Sequence, residues 1–269
     1  ASYFWVGSEA PVQGIQPTYC KKYDHGFPFA QRVDSVIYWL SLPEEARPRL
    51  ITFYMHEPDN AGHIFGPLSD SLKIIVTYLD SLVGDLIKKV NELPIASQVN
   101  IIVTSDHGMC PIDMERRVFL EDHYDSKWFE IVEGYNPNYL FKVREEYRDT
   151  AWKALQAIEH VQVWEHGKVP ERLHYGHNPR TLDFILVADS SWSVVPFRDK
   201  KVGFGAHGYD NANRDMDAIF YAIGPDFRIN HLHPTFNNVD IYPLIANILE
   251  LEPAKVDGNF EHVSGMLKE

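Results

Sequence analysis

Three short stretches concentrate side chains able to hold a metal: Glu57-Pro58-Asp59-Asn60-Ala61-Gly62-His63, Ser105-Asp106-His107-Gly108-Met109 and Gly205-Ala206-His207-Gly208-Tyr209-Asp210-Asn211. Asp59, Asp106, His63, His107 and His207 supply two carboxylates and three imidazoles, and each of these histidines has a glycine beside it. Asp59 and His63 stand four residues apart, a spacing at which one helical turn or a tight loop aims both at one point. Mixed carboxylate and imidazole ligation suits zinc or a similar divalent ion; calcium and magnesium favour all-oxygen shells. Taken alone, Asp-His-Gly can cap a strand and His-Gly-Tyr-Asp can form a turn. The conjunction of three such segments favours a metal centre. His25, His56, His123, His160, His166, His174, His177, His231, His233 and His262 have no matching partners and are read as surface or core, with His56 close enough in sequence to support a ligand.

The elements that must position these groups are legible in the hydrophobic pattern. Apolar runs at 49–55, 99–104, 182–188 and 218–223 read as mostly buried strands. Two of the ligand-bearing stretches follow such runs directly, where sites of open α/β sheets gather. Leu72, Ile75, Leu79, Leu82, Val83, Leu86 and Val90 recur at helical spacing, with Ser69 or Asp70 as cap and Pro94 beyond the end. Strand, helix, strand is a βαβ unit, which predicts two parallel strands as neighbours or near neighbours. From about 128 to 190 shorter alternating stretches surround a helix near 145–158 and read as an inserted smaller subdomain. Asn238 to Leu249 reads as an amphipathic closing helix with Pro243 inside it. The expected architecture is one α/β domain with an elaboration.

The chain has 269 residues, 45% of them hydrophobic, enough for a large core. Twenty-five basic against 38 acidic residues give a net charge of −13, which disfavours nucleic-acid polymers and anionic membranes as partners. Only Cys20 and Cys110 are present, too few for a disulfide scaffold. There is no apolar run long enough to span a membrane and no Asn-x-Ser/Thr sequon.

Glu-Pro-Asp-x-x-Gly-His-x-x-Gly-Pro, Ser-Asp-His-Gly-Met and Gly-x-His-Gly-Tyr-Asp-Asn, in this order, resemble the ecto-nucleotide pyrophosphatase/phosphodiesterase family of the alkaline phosphatase superfamily. The similarity extends from Trp5-Val6-Gly7-Ser8 through Phe27-Pro28-Phe29-Ala30-Gln31-Arg32-Val33 and Pro170-Glu171-Arg172-Leu173-His174-Tyr175 to Asp240-Ile241-Tyr242-Pro243. It implies an alkaline-phosphatase-like α/β fold, a central mostly parallel sheet flanked by helices, and a two-zinc hydrolase. Position by position, one zinc would be held by Asp59, His63 and His207 and the other by Asp106 and His107. The family's remaining ligands, an early aspartate and a threonine nucleophile in a Thr-Phe-Pro-Asn-like motif, have no counterpart in this chain. Residues 1–269 are therefore expected to be the carboxyl-terminal part of a single catalytic domain, with an amino-terminal fragment of that domain as partner. Thr104 and Ser105 lie beside metal-binding positions, but strand-end packing is the expected role of each.

The same resemblance places Tyr54 and Tyr23 where nucleotide-hydrolysing members sandwich the base, with Trp5 lining the pocket. It implies hydrolysis of nucleotide phosphodiester or pyrophosphate bonds with release of nucleoside monophosphates. A phosphodiesterase for lipid or choline headgroups and a non-catalytic metal-binding homologue are the alternatives. An extracytoplasmic location, secreted, periplasmic or anchored by a segment outside these residues, goes with the family.

Overall fold

The computed structural model describes residues 1–268 and resolves them into two compact units. The first unit comprises Ala1–Pro58, Ile74–Thr104 and the chain from Phe220 onward; the second comprises Asp59–Lys73 and Ser105–Ile219.

In the first unit, strand β1 (Ser2–Tyr3) lies between β2 (Cys20–Lys21) and β3 (Thr52–Phe53), all parallel. Helix α1 (Phe29–Leu40) buries Arg32, Val33, Val36 and Trp39, and Trp39 joins Tyr3 and Phe4 in an aromatic core against which Phe27, Phe53 and Tyr54 pack. Strand β4 (Ile101–Thr104) pairs antiparallel with β13 (Phe220–Ile223). A second core of Phe227, Leu244, Val263 and Met266 lies beside that pair, with Leu244 supplied by helix α5 (Ile241–Ile248). Pro243 sits in the first turn of α5, where its missing N–H is tolerated.

The helix expected between the first two strands is α3 (Asp70–Asn91), capped by Ser69, whose Oγ accepts from the Leu72 N–H at 3.1 Å. The pairing of its flanking strands differs from expectation: β3 pairs with β1 and β4 with β13, and no ladder joins β3 to β4 among the described residues. Burial differs as well. The residues of β3 and β4 are only half-buried, and Tyr221 and Ile223 of β13 are 69% and 54% exposed. Hydropathy reports what a strand can bury; the partners present decide what it does bury.

The second unit begins with α2 (Asp59–Phe65). Short strands follow from Ser105 onward: β5 (Cys110–Pro111) pairs antiparallel with β12 (Gly205–Ala206), and β6 (Arg117–Phe119) pairs parallel with β11 (Ser193–Val195). Its largest sheet is antiparallel, in the order β7 (Phe129–Tyr135), β8 (Asn138–Val143), β10 (Phe184–Ala188), β9 (Val161–Glu165), with helix α4 (Arg148–Gln156) contributing Ala151 and Leu155 to the core. Alternate residues of β8, namely Tyr139, Phe141 and Val143, are buried in the period-2 pattern read from the sequence. The 182–188 run is therefore a strand of this antiparallel sheet, beginning at Phe184.

Candidate metal centre

Three backbone segments of the second unit are knitted together before any ligand is considered. The Phe204 N–H donates to the His63 carbonyl at 2.8 Å, and the Ile112 N–H donates to the Phe204 carbonyl at 3.0 Å. Such close approach requires glycine. A Cβ on Gly62 would stand 2.4 Å from Met109 Sδ, and one on Gly205 would stand 2.5 Å from the Gly62 carbonyl oxygen and 2.6 Å from the same sulfur. The glycines and methionine of the three sequence motifs thus interlock, and their interlocking brings the histidines together.

Helix α2 presents Asp59 and His63 on one face, and His63 Nε2 lies 3.5 Å from Asp59 Oδ1. His207, following β12, places its Nε2 3.4 Å from the same oxygen. His107 stacks on His207 with ring centroids 3.5 Å apart and planes 13° from parallel. One oxygen of Asp59 and one nitrogen each of His107 and His207 lie within 4.8 Å of one another. Asp106 stands at the edge, 80% exposed, its Oδ2 3.6 Å from His107 Nε2.

The hydrogen bonds around these rings set which nitrogen faces inward. His63 Nδ1–H donates to the Gly205 carbonyl and His107 Nδ1–H to the Gly108 carbonyl, each at 2.8 Å, so that in the neutral, metal-binding form of each ring Nε2 carries the lone pair. Burial, and next the neighbouring His107, hold the His207 imidazole below its ordinary pKa. Asp59 Oδ1 is itself buried and has no hydrogen-bond donor among the described residues. An acceptor thus faces acceptors, an arrangement that costs free energy until a cation sits among them. Ligand atoms in a tetrahedral zinc shell stand about 3.4 Å apart, and the two Asp59 contacts match that spacing. The residues present fit a zinc-type ion.

The remaining expected residues are placed as follows. Ser105 Oγ accepts from the Ile219 N–H at 3.0 Å, a strand-end contact. Thr104 ends β4. In the first unit, Tyr54 packs on the Tyr3, Phe4 and Trp39 core, while Tyr23 and Trp5 are 41% and 45% exposed. Sequence reasoning missed Arg172, which donates to Asp210 Oδ1 and to Asn211 Oδ1, both at 2.8 Å, and so clamps the loop that follows His207. The signal was the Pro-Glu-Arg stretch, which spacing alone could not connect to a loop nearly forty residues on. It also left His25 without a role and gave His56 only that of supporting a ligand; the two rings stack, with centroids 3.9 Å apart.

A model of the type I phosphodiesterase/nucleotide pyrophosphatase family matches residues 1–210. The chain is 34% identical over 279 residues to a venom phosphodiesterase of Crotalus durissus collilineatus, covering all of this chain and 33% of that one. It is 30% identical to human bis(5'-adenosyl)-triphosphatase ENPP4, covering 99% of this chain and 58% of that one. The chain therefore spans about a third of the length of its snake-venom relatives and just over half of the human one. Murine ectonucleotide pyrophosphatase/phosphodiesterase 5 superposes with a TM-score of 0.94 at 31% identity, covering 99% of this chain and 71% of that one, and an inactive form of it has been solved in complex with AMP.

Proposed function

Because the chain belongs to the type I phosphodiesterase/nucleotide pyrophosphatase family of the alkaline phosphatase superfamily, we propose that it carries the metal-binding, carboxyl-terminal part of a zinc-dependent hydrolase. The hydrolase opens nucleotide phosphodiester and pyrophosphate bonds and releases nucleoside monophosphates. The observation that carries this reading is the buried, donor-less oxygen of Asp59 facing imidazole nitrogens.

Asp59, His63 and His207 are assigned to one zinc, and Asp106 and His107 to the other. Bound there, the two ions would offset phosphate charge and ease loss of a proton from the attacking hydroxyl. The Gly205 and Gly108 carbonyls keep Nε2 of His63 and His107 forward, and Arg172 steadies the loop bearing His207. Tyr23, Tyr54 and Trp5 are assigned to the base by stacking, which tolerates different bases. AMP bound to the murine relative supports a nucleotide substrate. The threonine nucleophile and one more aspartate are assigned to an amino-terminal segment of the same domain, and residues of about 128–190 to an insert in it. Names such as venom and ecto-enzyme among the relatives support an extracytoplasmic location. Among the described residues no helix is long and apolar enough to cross a membrane.

The test is metal analysis of the full-length protein joined to turnover of a dinucleoside polyphosphate and of a choline-headgroup phosphodiester. Two zinc ions and a preference of at least about tenfold in kcat/KM for the nucleotide are expected. The reverse preference would give the site to headgroups. Metal without turnover of either substrate would make the protein a binding homologue.

A further inference from the structure

Tyr23 is held by more than its backbone. Its hydroxyl lies 3.0 Å from His25 Nδ1 and 3.4 Å from His56 Nδ1, and it bridges the two stacked imidazoles. A phenol has one proton to donate and lone pairs to accept. Its proton can go to a bare Nδ1 of one imidazole while its oxygen accepts from the other. The Tyr23 ring meets Phe4 edge-on, with centroids 5.4 Å apart and planes at 69°, while the residue stays 41% exposed.

A single buried side chain ties these groups together. Arg32, 0% exposed, places its guanidinium 4.8 Å from the Phe4 centroid and 4.5 Å from the Phe29 centroid. It donates to the carbonyl of Phe27 at 2.9 Å and to those of Asp24, His25 and Tyr54 at 3.4 Å. The loop with Tyr23 and His25 is thereby fastened to the strand end that carries Tyr54 and His56. Phe29 backs His56 at 5.0 Å, with Tyr78 behind Phe29 at 6.5 Å.

We propose that His25 and His56 are positioning residues that hold the Tyr23 ring for stacking on a nucleobase, and that acid releases this hold. The inference rests on the assignment of Tyr23 to the base. Two stacked imidazolium ions repel and leave the phenol proton no imidazole acceptor, so the bridge is strong while at least one ring is neutral and is weakened when both are charged. The groups facing His56 are His25, Tyr23, Arg32 and Glu57. Burial first, then His25 and Arg32, lower its pKa and Glu57 opposes them, so the bridge stands at neutral pH and weakens on the acid side.

The experiment compares thymidine 5'-p-nitrophenyl phosphate with methyl p-nitrophenyl phosphate on the zinc-loaded full-length protein. The two esters share a leaving group and differ in the nucleoside, so the ratio of their KM values reads recognition of the nucleoside, and acid effects on the metal ligands cancel. Tyr23→Phe and His56→Phe should each raise that ratio about three- to tenfold, the worth of a hydrogen bond, with the ratio of kcat values held. His56→Gln, which keeps a donor and an acceptor, should restore the ratio and flatten its pH profile. In the unmodified protein the ratio should climb as pH falls below the ordinary imidazole range, because the His56 pKa is lowered, and in Tyr23→Phe it should not. Loss of base preference in Tyr23→Ala without a change in Tyr23→Phe or His56→Phe, or a flat profile in the unmodified protein, would overturn the positioning role alone. Unchanged base preference in Tyr23→Ala would instead remove Tyr23 from the base site and the inference with it.

Discussion

Asp59 is the residue on which the metal reading turns. Its Oδ1 lies at ligand-to-ligand distance from two imidazoles and receives no proton from either. The same geometry predicts opposite effects of one substitution in two states. Asp59→Asn replaces an acceptor by an amide that can donate to the facing nitrogen, so the metal-free protein should gain about 1 kcal/mol of stability. With zinc present the variant should be the less stable of the two and should bind the ion at least about a hundredfold more weakly. Denaturation with and without chelator, beside calorimetric zinc titration, reads both. A variant less stable than the parent even without metal would show that Asp59 has an ordinary structural partner. His231→Ala, at an exposed histidine outside the cluster, should change neither quantity.

At the scale of elements, the centre depends on how closely α2, β5 and β12 approach. Gly62→Ala puts a methyl where Met109 Sδ now sits, and should destabilise the protein by about 1–3 kcal/mol with lower zinc affinity. Shortening the obstructing side chain in Gly62→Ala/Met109→Ala should recover part of the zinc affinity. A strictly additive double variant would place the strain elsewhere. The loop after His207 has its own fastening. Hydrogen bonding to Arg172 is the main cause holding the Asp210 carboxyl below its ordinary pKa, with the Ala212 N–H adding to it and burial opposing. A depressed carboxylate contributes stability that is fully present above its unfolded pKa and lost as pH falls through the folded one. Arg172→Ala should therefore lower stability at neutral pH and flatten the acid side of the profile below about pH 4. Urea midpoints across that range that run parallel for the two proteins would disprove the linkage.

For the whole molecule, the surface is a guide to what belongs against it. Ile74, Val76 and Tyr78 of α3 are 71%, 46% and 47% exposed, and β13 exposes Tyr221 and Ile223. Docking of the amino-terminal segment assigned above would bury such surface and bring the nucleophile. Residues 1–269 by themselves are therefore expected to bind zinc through Asp59, His63 and His207 yet not to turn over a nucleotide diester. Adding a segment with the threonine and aspartate should restore single-turnover hydrolysis and slow amide exchange in Ile101–Thr104. Full activity of the bare chain would place the nucleophile within it, with Thr104 and Ser105 the first to mutate. The net charge of −13 makes the same material a poor ligand for duplex DNA at physiological salt.

The sequence by itself determined the ligating residue types, the α2 spacing that pairs Asp59 with His63, the α3 helix with its Ser69 cap, and the period-2 burial of β8. Each depends on residues within a turn or two, where backbone geometry fixes the outcome. The motif order carried the family as well. What only the tertiary structure decided lies between distant segments. Examples are the pairing of β3 with β1 and of β4 with β13, the stacking of His107 on His207, the Arg172 clamp on Asp210, and the bridge from Tyr23 to His25 and His56. Most of these contacts join residues dozens of positions apart, and periodicity holds no information about which distant face a side chain will meet. The donor-less oxygen of Asp59 belongs to this second class. A carboxylate four residues before a histidine is visible in the sequence, but its missing hydrogen-bond donor depends on every group that folding places around it.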